Sequence, residues 1–61
     1  MANLTAKELT ALEDQLGCEQ TLVKQYQAMA CLCNDTQIQQ EFNNIAQKHQ
    51  QHYSTLMTFL Q

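Results

Sequence analysis

Sixty-one residues make one domain at most, and a chain this short rarely buries enough area alone without disulfides, a metal or a partner chain. With no Pro, a single Gly and 44% hydrophobic residues, folds rich in β-turns are disfavoured and helix is the default. The net charge is -3 and the only cations are Lys7, Lys24 and Lys48, so there is no basic patch for a phosphate backbone and nucleic acid is not an expected partner.

The stretch Met1 to Glu8 lacks a basic segment followed by an apolar core, and no apolar run approaches the roughly 20 residues of a membrane span. Neither a signal peptide nor a membrane partner is expected, and the predicted location is the cytoplasm. Thr5 followed by Glu8 fits a capping box, with Leu4 and Leu9 placed to form the hydrophobic staple across it, so a helix starts here. Apolar residues then recur in 3-then-4 spacing at Leu9, Leu12, Leu16, Val23, Tyr26, Ala30 and Cys33, and the one charged residue in that series is Glu19. Asn34-Asp35 interrupts the pattern, and Asp35 is a good N-cap for a second helix. So short a connection makes the helices antiparallel neighbours. The second seam reads Ile38, Phe42, Ile45, Leu56 and Phe59, and its two middle positions are His49 and His52.

The prediction is therefore a single all-α unit over residues 1–61: helix 1 at about 6–33, a turn at about 34–35 and helix 2 at about 36–60. Leu22 and Met29 on the first helix, and Ala46 and Leu60 on the second, widen the apolar stripe beyond what an isolated pair of helices needs. A second copy supplies two more helices most simply, so the expected state is an antiparallel hairpin that homodimerises into a four-helix bundle. Cys31 and Cys33 diverge by about 200° on a helix, and three cysteines cannot all pair within one chain. Cys18, Cys31 and Cys33 are thus read as small hydrophobes or free thiols, as a reducing compartment favours.

With a turn centred at Asn34-Asp35, residues at equal height have numbers summing to about 69, because both helices rise equally per residue. Glu19 then lies opposite residue 50, between His49 and His52, which are three apart and share a face. These are the residue types that bind zinc, iron or manganese, and a two-fold dimer brings two Glu and four His into one core layer. The alternative is a hydrogen-bonded Glu–His layer that fixes helix register without metal. Tyr53, beside His52, is placed to hydrogen-bond a ligating imidazole. Tyr26 reads as a core aromatic a turn and a half or more from the layer. Cys18 points about 100° away from Glu19, and Glu13 and Glu41 lie on solvated flanks.

The segments Cys18-Glu19-Gln20-Thr21-Leu22-Val23-Lys24-Gln25-Tyr26 and Ile45-Ala46-Gln47-Lys48-His49-Gln50-Gln51-His52-Tyr53 resemble the short spore-coat proteins related to coat protein F of endospore-forming Firmicutes. The resemblance spans nearly the whole chain, and the Glu plus His-x-x-His-Tyr combination is its most specific part. It implies a ferritin-like helical bundle, a homodimer of hairpins and a role in or near the spore coat during sporulation. Ferritin-like di-iron proteins pair a Glu on one helix with Glu-x-x-His on another, and here Ala46 stands three before His49 while His49 stands three before His52. The missing carboxylates argue against oxygen-activating di-iron chemistry. No nucleophile–base pair and no phosphate-binding loop is present, so a structural or assembly protein is expected rather than an enzyme. The alternative is a small ferritin-like metalloprotein with redox or metal-storage activity.

Overall fold

The computed structural model describes residues 3–60, and among them the chain is two helices and a short 3-10 turn. Helix α1 spans Ala6–Leu32 and helix α2 spans Thr36–Met57, with the 3-10 turn at Thr58–Leu60. The helices lie side by side as an antiparallel hairpin whose extents are 46 × 15 × 10 Å. No described helix is long and apolar enough to cross a membrane.

The ends of both helices follow from local chemistry. At the start of α1, the Thr5 hydroxyl accepts from the Glu8 backbone N–H at 3.1 Å, and the Thr5 N–H donates to the Glu8 carboxylate at 3.0 Å, completing the expected capping box. Those bonds, the Thr5 backbone N–H first, hold the Glu8 carboxyl below its usual 4.5. The chain leaves α1 at Cys33, which is extended at φ -88° and ψ 131°, one residue earlier than the sequence suggests. Asp35 then caps α2 by accepting from the Ile38 N–H at 3.0 Å. Gln39 donates its side-chain amide to the Ala30 carbonyl at 3.0 Å, a second bond to a carbonyl that also accepts from the Cys33 N–H at 3.2 Å, and ties the second helix to the first. At the far end α2 stops at Met57 and tightens into the 3-10 turn rather than running as α-helix to residue 60.

Helix packs on helix along one narrow stripe. Among the described residues, Leu16, Ala30 and Ala46 are the buried apolar side chains, and no large side chain is fully buried. On α1 the packing stripe is Leu12, Leu16, Glu19, Val23 and Ala30, close to the expected seam. On α2 it differs in part. The covered or half-covered positions are Gln39, Phe42, Ile45, Ala46, His49, Tyr53, Leu56, Met57 and Leu60, so the expected seam residues Phe42, Ile45, His49 and Leu56 are covered, whereas Ile38 and Phe59 are 48% and 49% exposed. Ala46 and Leu60, predicted to lie beside the seam, belong to it instead. The apolar pattern of α2 is the sum of two stripes, and its average direction falls between them.

The second stripe is on one face of the hairpin. At about 100° per residue, Leu22, Met29 and Cys33 on α1, and Ile38, Ile45, His52 and Leu56 on α2, lie about 60–110° to the same rotational side of their packing stripes. Because the helices run in opposite directions, the same rotation on each turns both stripes to one side of the pair. That side is the apolar face. The opposite side carries a depression lined by Val23, Gln27, Asn43, Ala46, Gln47 and Gln50, four of them amides.

Candidate metal centre

Glu19 is the middle residue of α1 and is only 3% exposed. A buried carboxylate is costly unless its oxygens are satisfied, and here α2 satisfies both. His49 Nδ1 lies 2.9 Å from Oε1 and His52 Nδ1 lies 3.0 Å from Oε2. His49 also reaches Oε2 at 3.4 Å. A carboxylate only accepts, so each ring donates from Nδ1–H, and a neutral ring keeps its free lone pair on Nε2. Since Nε2 lies across the ring from Nδ1, those lone pairs point away from Glu19.

The three residues are graded in depth. Glu19 is buried, the His49 side chain is 21% exposed and the His52 side chain is 62% exposed. The rotation that defines the apolar face accounts for this order, since Glu19 is nearest the packing stripe and His52 lies out on the face. A shallow depression lined by Gln15, Glu19, His52, Thr55 and Leu56 opens there. Among the described residues, no buried polar side-chain atom lacks a partner.

Two aromatic contacts stiffen the layer. Tyr26 stacks on His49 with ring centroids 5.8 Å apart and planes 21° apart, and packs against Phe42 at 5.9 Å. Tyr26 is therefore a neighbour of the layer, not a remote core residue. Helical side chains lean toward their own N-terminus, so in an antiparallel pair Tyr26 leans toward Glu19 while His49 leans back toward the height of Tyr26. The two imidazoles meet edge to face, with centroids 5.6 Å apart and an angle of 82°.

One nitrogen from each imidazole and one carboxylate oxygen lie within 4.8 Å of one another, so Glu19, His49 and His52 form a group that could hold a metal ion. Two donors about 2.1 Å from a tetrahedral ion are about 3.4 Å apart. The Nδ1–carboxylate separations of 2.9–3.4 Å are thus within about half an ångström of what an ion needs in place of the bridging protons. The donor set of nitrogen and oxygen suits zinc, iron or manganese.

Tyr53 does not join this group. Its hydroxyl accepts from the Gln20 side-chain amide at 3.3 Å on the other side of the packing stripe, about 100° around α2 from His52. Sequence reading missed that bond, because Gln20 and Tyr53 stand about a turn off equal height and meet only through their long side chains. Cys18 and Cys31 are exposed, Cys33 is half-buried and all three are free thiols outside the site. Glu13 and Glu41 are exposed, as expected.

No protein-family model, curated protein or solved structure matches the chain.

Proposed function

We propose that this chain is a structural, self-assembling protein of the spore-coat type. Two hairpins dock by their apolar faces into a four-helix bundle, and the Glu19, His49 and His52 layer holds a divalent cation at its centre. The observation that carries the reading is the amount of surface left open. The chain exposes 4760 Å2, where a compact monomer of its mass exposes about 4,040 Å2. The excess of roughly 700 Å2 is close to the ~800 Å2 that each partner loses in a standard-size interface, and the exposed Met29, Ile38 and Phe59 lie on the wide face.

The donor set favours a structural role over redox or storage chemistry. One carboxylate per chain leaves too few bridging oxygens to hold and neutralise two irons, while imidazoles suit a single divalent ion that joins helices. The likeness of residues 18–26 and 45–53 to short coat F proteins supplies the biological setting, a spore coat or the cytoplasm of an endospore-forming bacterium.

Metal analysis and sedimentation of protein purified without an affinity tag test both halves of the reading. The expected results are a dimer at micromolar concentration, bound divalent metal in the wild type, and none in the His49→Ala/His52→Ala double variant. Retention should fall as acid is added, because metal binding to imidazole nitrogen displaces a proton. A single-hairpin species at that concentration contradicts the assembly. Protein that takes up no zinc, manganese or iron and whose melting ignores all three contradicts the metal. Turnover or a spectral change with oxygen or peroxide would favour the redox alternative.

A further inference from the structure

Resting on the reading of the triad as a cation site, we propose that the ion is shared: one divalent cation sits on the two-fold axis between two hairpins, ligated through imidazole Nε2 by His52 and by His52 of the partner subunit. This shared site uses the outer ring nitrogens instead of the space between Nδ1 and the carboxylate, so Glu19 is not a ligand in it. It is the buried brace that fixes each ring through Nδ1 and sets the tautomer that frees Nε2, the carboxylate–histidine–metal arrangement in which the outer partner orients the donor.

Three observations converge on this arrangement. First, both Nδ1 atoms are already committed to Glu19 at 2.9 and 3.0 Å, so the free donor of each neutral ring is Nε2, which faces away from the buried carboxylate. Second, His52 is the outermost member, 62% exposed on the apolar face that a second copy is proposed to cover. Third, the layer is central in both directions. Glu19 is the midpoint of α1, and the triad straddles the line where the helices meet. A face-to-face dimer has its two-fold axis in the interface, either along the helices or across them. An axis along the helices preserves height and reverses left and right, whereas an axis across them reverses height and preserves left and right. Only a feature at the centre of the face meets its own copy under both operations, and the triad is at that centre.

Charge then links ion and assembly. Closing the dimer brings two buried carboxylates into one low-dielectric layer, where like charges oppose each other. A divalent cation between them makes the layer neutral, so it stabilises the dimer more than it stabilises either hairpin alone. By thermodynamic linkage, whatever tightens the dimer tightens the ion by the same factor.

Zinc chloride is the probe. Sedimentation equilibrium and competition with a chromophoric chelator, at chain concentrations spanning the dimer dissociation constant, should give one zinc per two chains. Saturating zinc should tighten the dimer about 5–150-fold, the usual span of coupling between sites. The His52→Ala variant should lose this zinc response. The decisive variant is Ile38→Glu, in the first turn of α2 and about 21 Å along the helix from His52. An acidic residue there suits the helix N-terminus, and its negative charge cannot itself repel zinc. If Ile38→Glu stays fully helical yet weakens both dimer and zinc binding, the ion is shared. One zinc per chain with an affinity independent of chain concentration overturns the shared site and leaves a single-chain metal site standing, as does an Ile38→Glu protein that dissociates but binds zinc like the wild type. No zinc uptake at any concentration overturns both this inference and the metal reading beneath it.

Discussion

The two broad faces of the hairpin are built from the same two helices and differ only by rotation. One carries Gln27, Asn43, Gln47 and Gln50, amides that stay in water, and the other carries Leu22, Met29, Ile38, Ile45 and Leu56 around a Glu–His layer. The polar face needs nothing more than solvent. The apolar face leaves half-exposed Ile38, Phe59 and Met29, at 48%, 49% and 38%, together with a polar layer that is closed on its inner side alone. The contrast teaches that one helix can carry apolar side chains along two stripes, and that their average around the axis then points along neither.

Charging the apolar face should break this comparison most visibly. Each half-exposed Ile38 or Phe59 covered by a second copy contributes about 0.8–1.5 kcal/mol, half of a full side-chain burial. An Ile38→Glu/Phe59→Glu pair should therefore weaken the proposed dimer by about 3–6 kcal/mol over its two chains, read by sedimentation, whereas Gln47→Glu on the polar face should stay within about 0.5 kcal/mol. Equal effects from both faces would abolish the distinction.

Next in size is the layer itself. Glu19→Ala strips both imidazoles of their acceptor and should lower stability by about 1–3 kcal/mol in thermal melts at fixed chain concentration, since a dimer's melting depends on concentration. An unchanged melting temperature would mean that the carboxylate only fills space.

The capping box belongs to neither face and calibrates the two. Thr5→Ala should cost about 1 kcal/mol in a urea titration without changing the dimer dissociation constant. Its Glu8 arm carries a pH dependence whose sign is fixed. The folded pKa lies below the unfolded one, so this stabilisation is fully present above about 4.5 and is lost as pH falls through the depressed folded value. Glu8→Gln should remove that acid limb.

The smallest effect has the opposite sign. Gly17 sits within α1 with nothing within 4 Å of where a Cβ would stand. Gly17→Ala should raise stability by about 0.5–1 kcal/mol through helix propensity alone. A loss on circular-dichroism melting would reveal a partner on that side of the hairpin.

Much of this was legible in the residues. Thr5 and Glu8 announced the start of α1, Asn34-Asp35 announced the turn, and equal rise on two antiparallel helices placed Glu19 level with His49 and His52. These features are local or follow from one symmetry of the hairpin, so spacing suffices to find them. Periodicity failed at α2, where Ile38 and Phe59 were assigned to the inner seam and instead stand half-exposed, and at Tyr26, whose contact with His49 depends on the lean of two side chains rather than on their heights.

Sequence alone thus determined two helices, the point at which the chain folds back, and one acidic and two imidazole groups at the same level. Tertiary structure decided how far each helix is rotated about its own axis. That rotation buries Glu19, brings both Nδ1 atoms onto its oxygens, leaves His52 in the open and turns Tyr53 toward Gln20. The physical reason is that height along a helix follows from residue number, whereas rotation is set by which side chains pack across the pair, here Leu16, Ala30 and Ala46 with the buried Glu19.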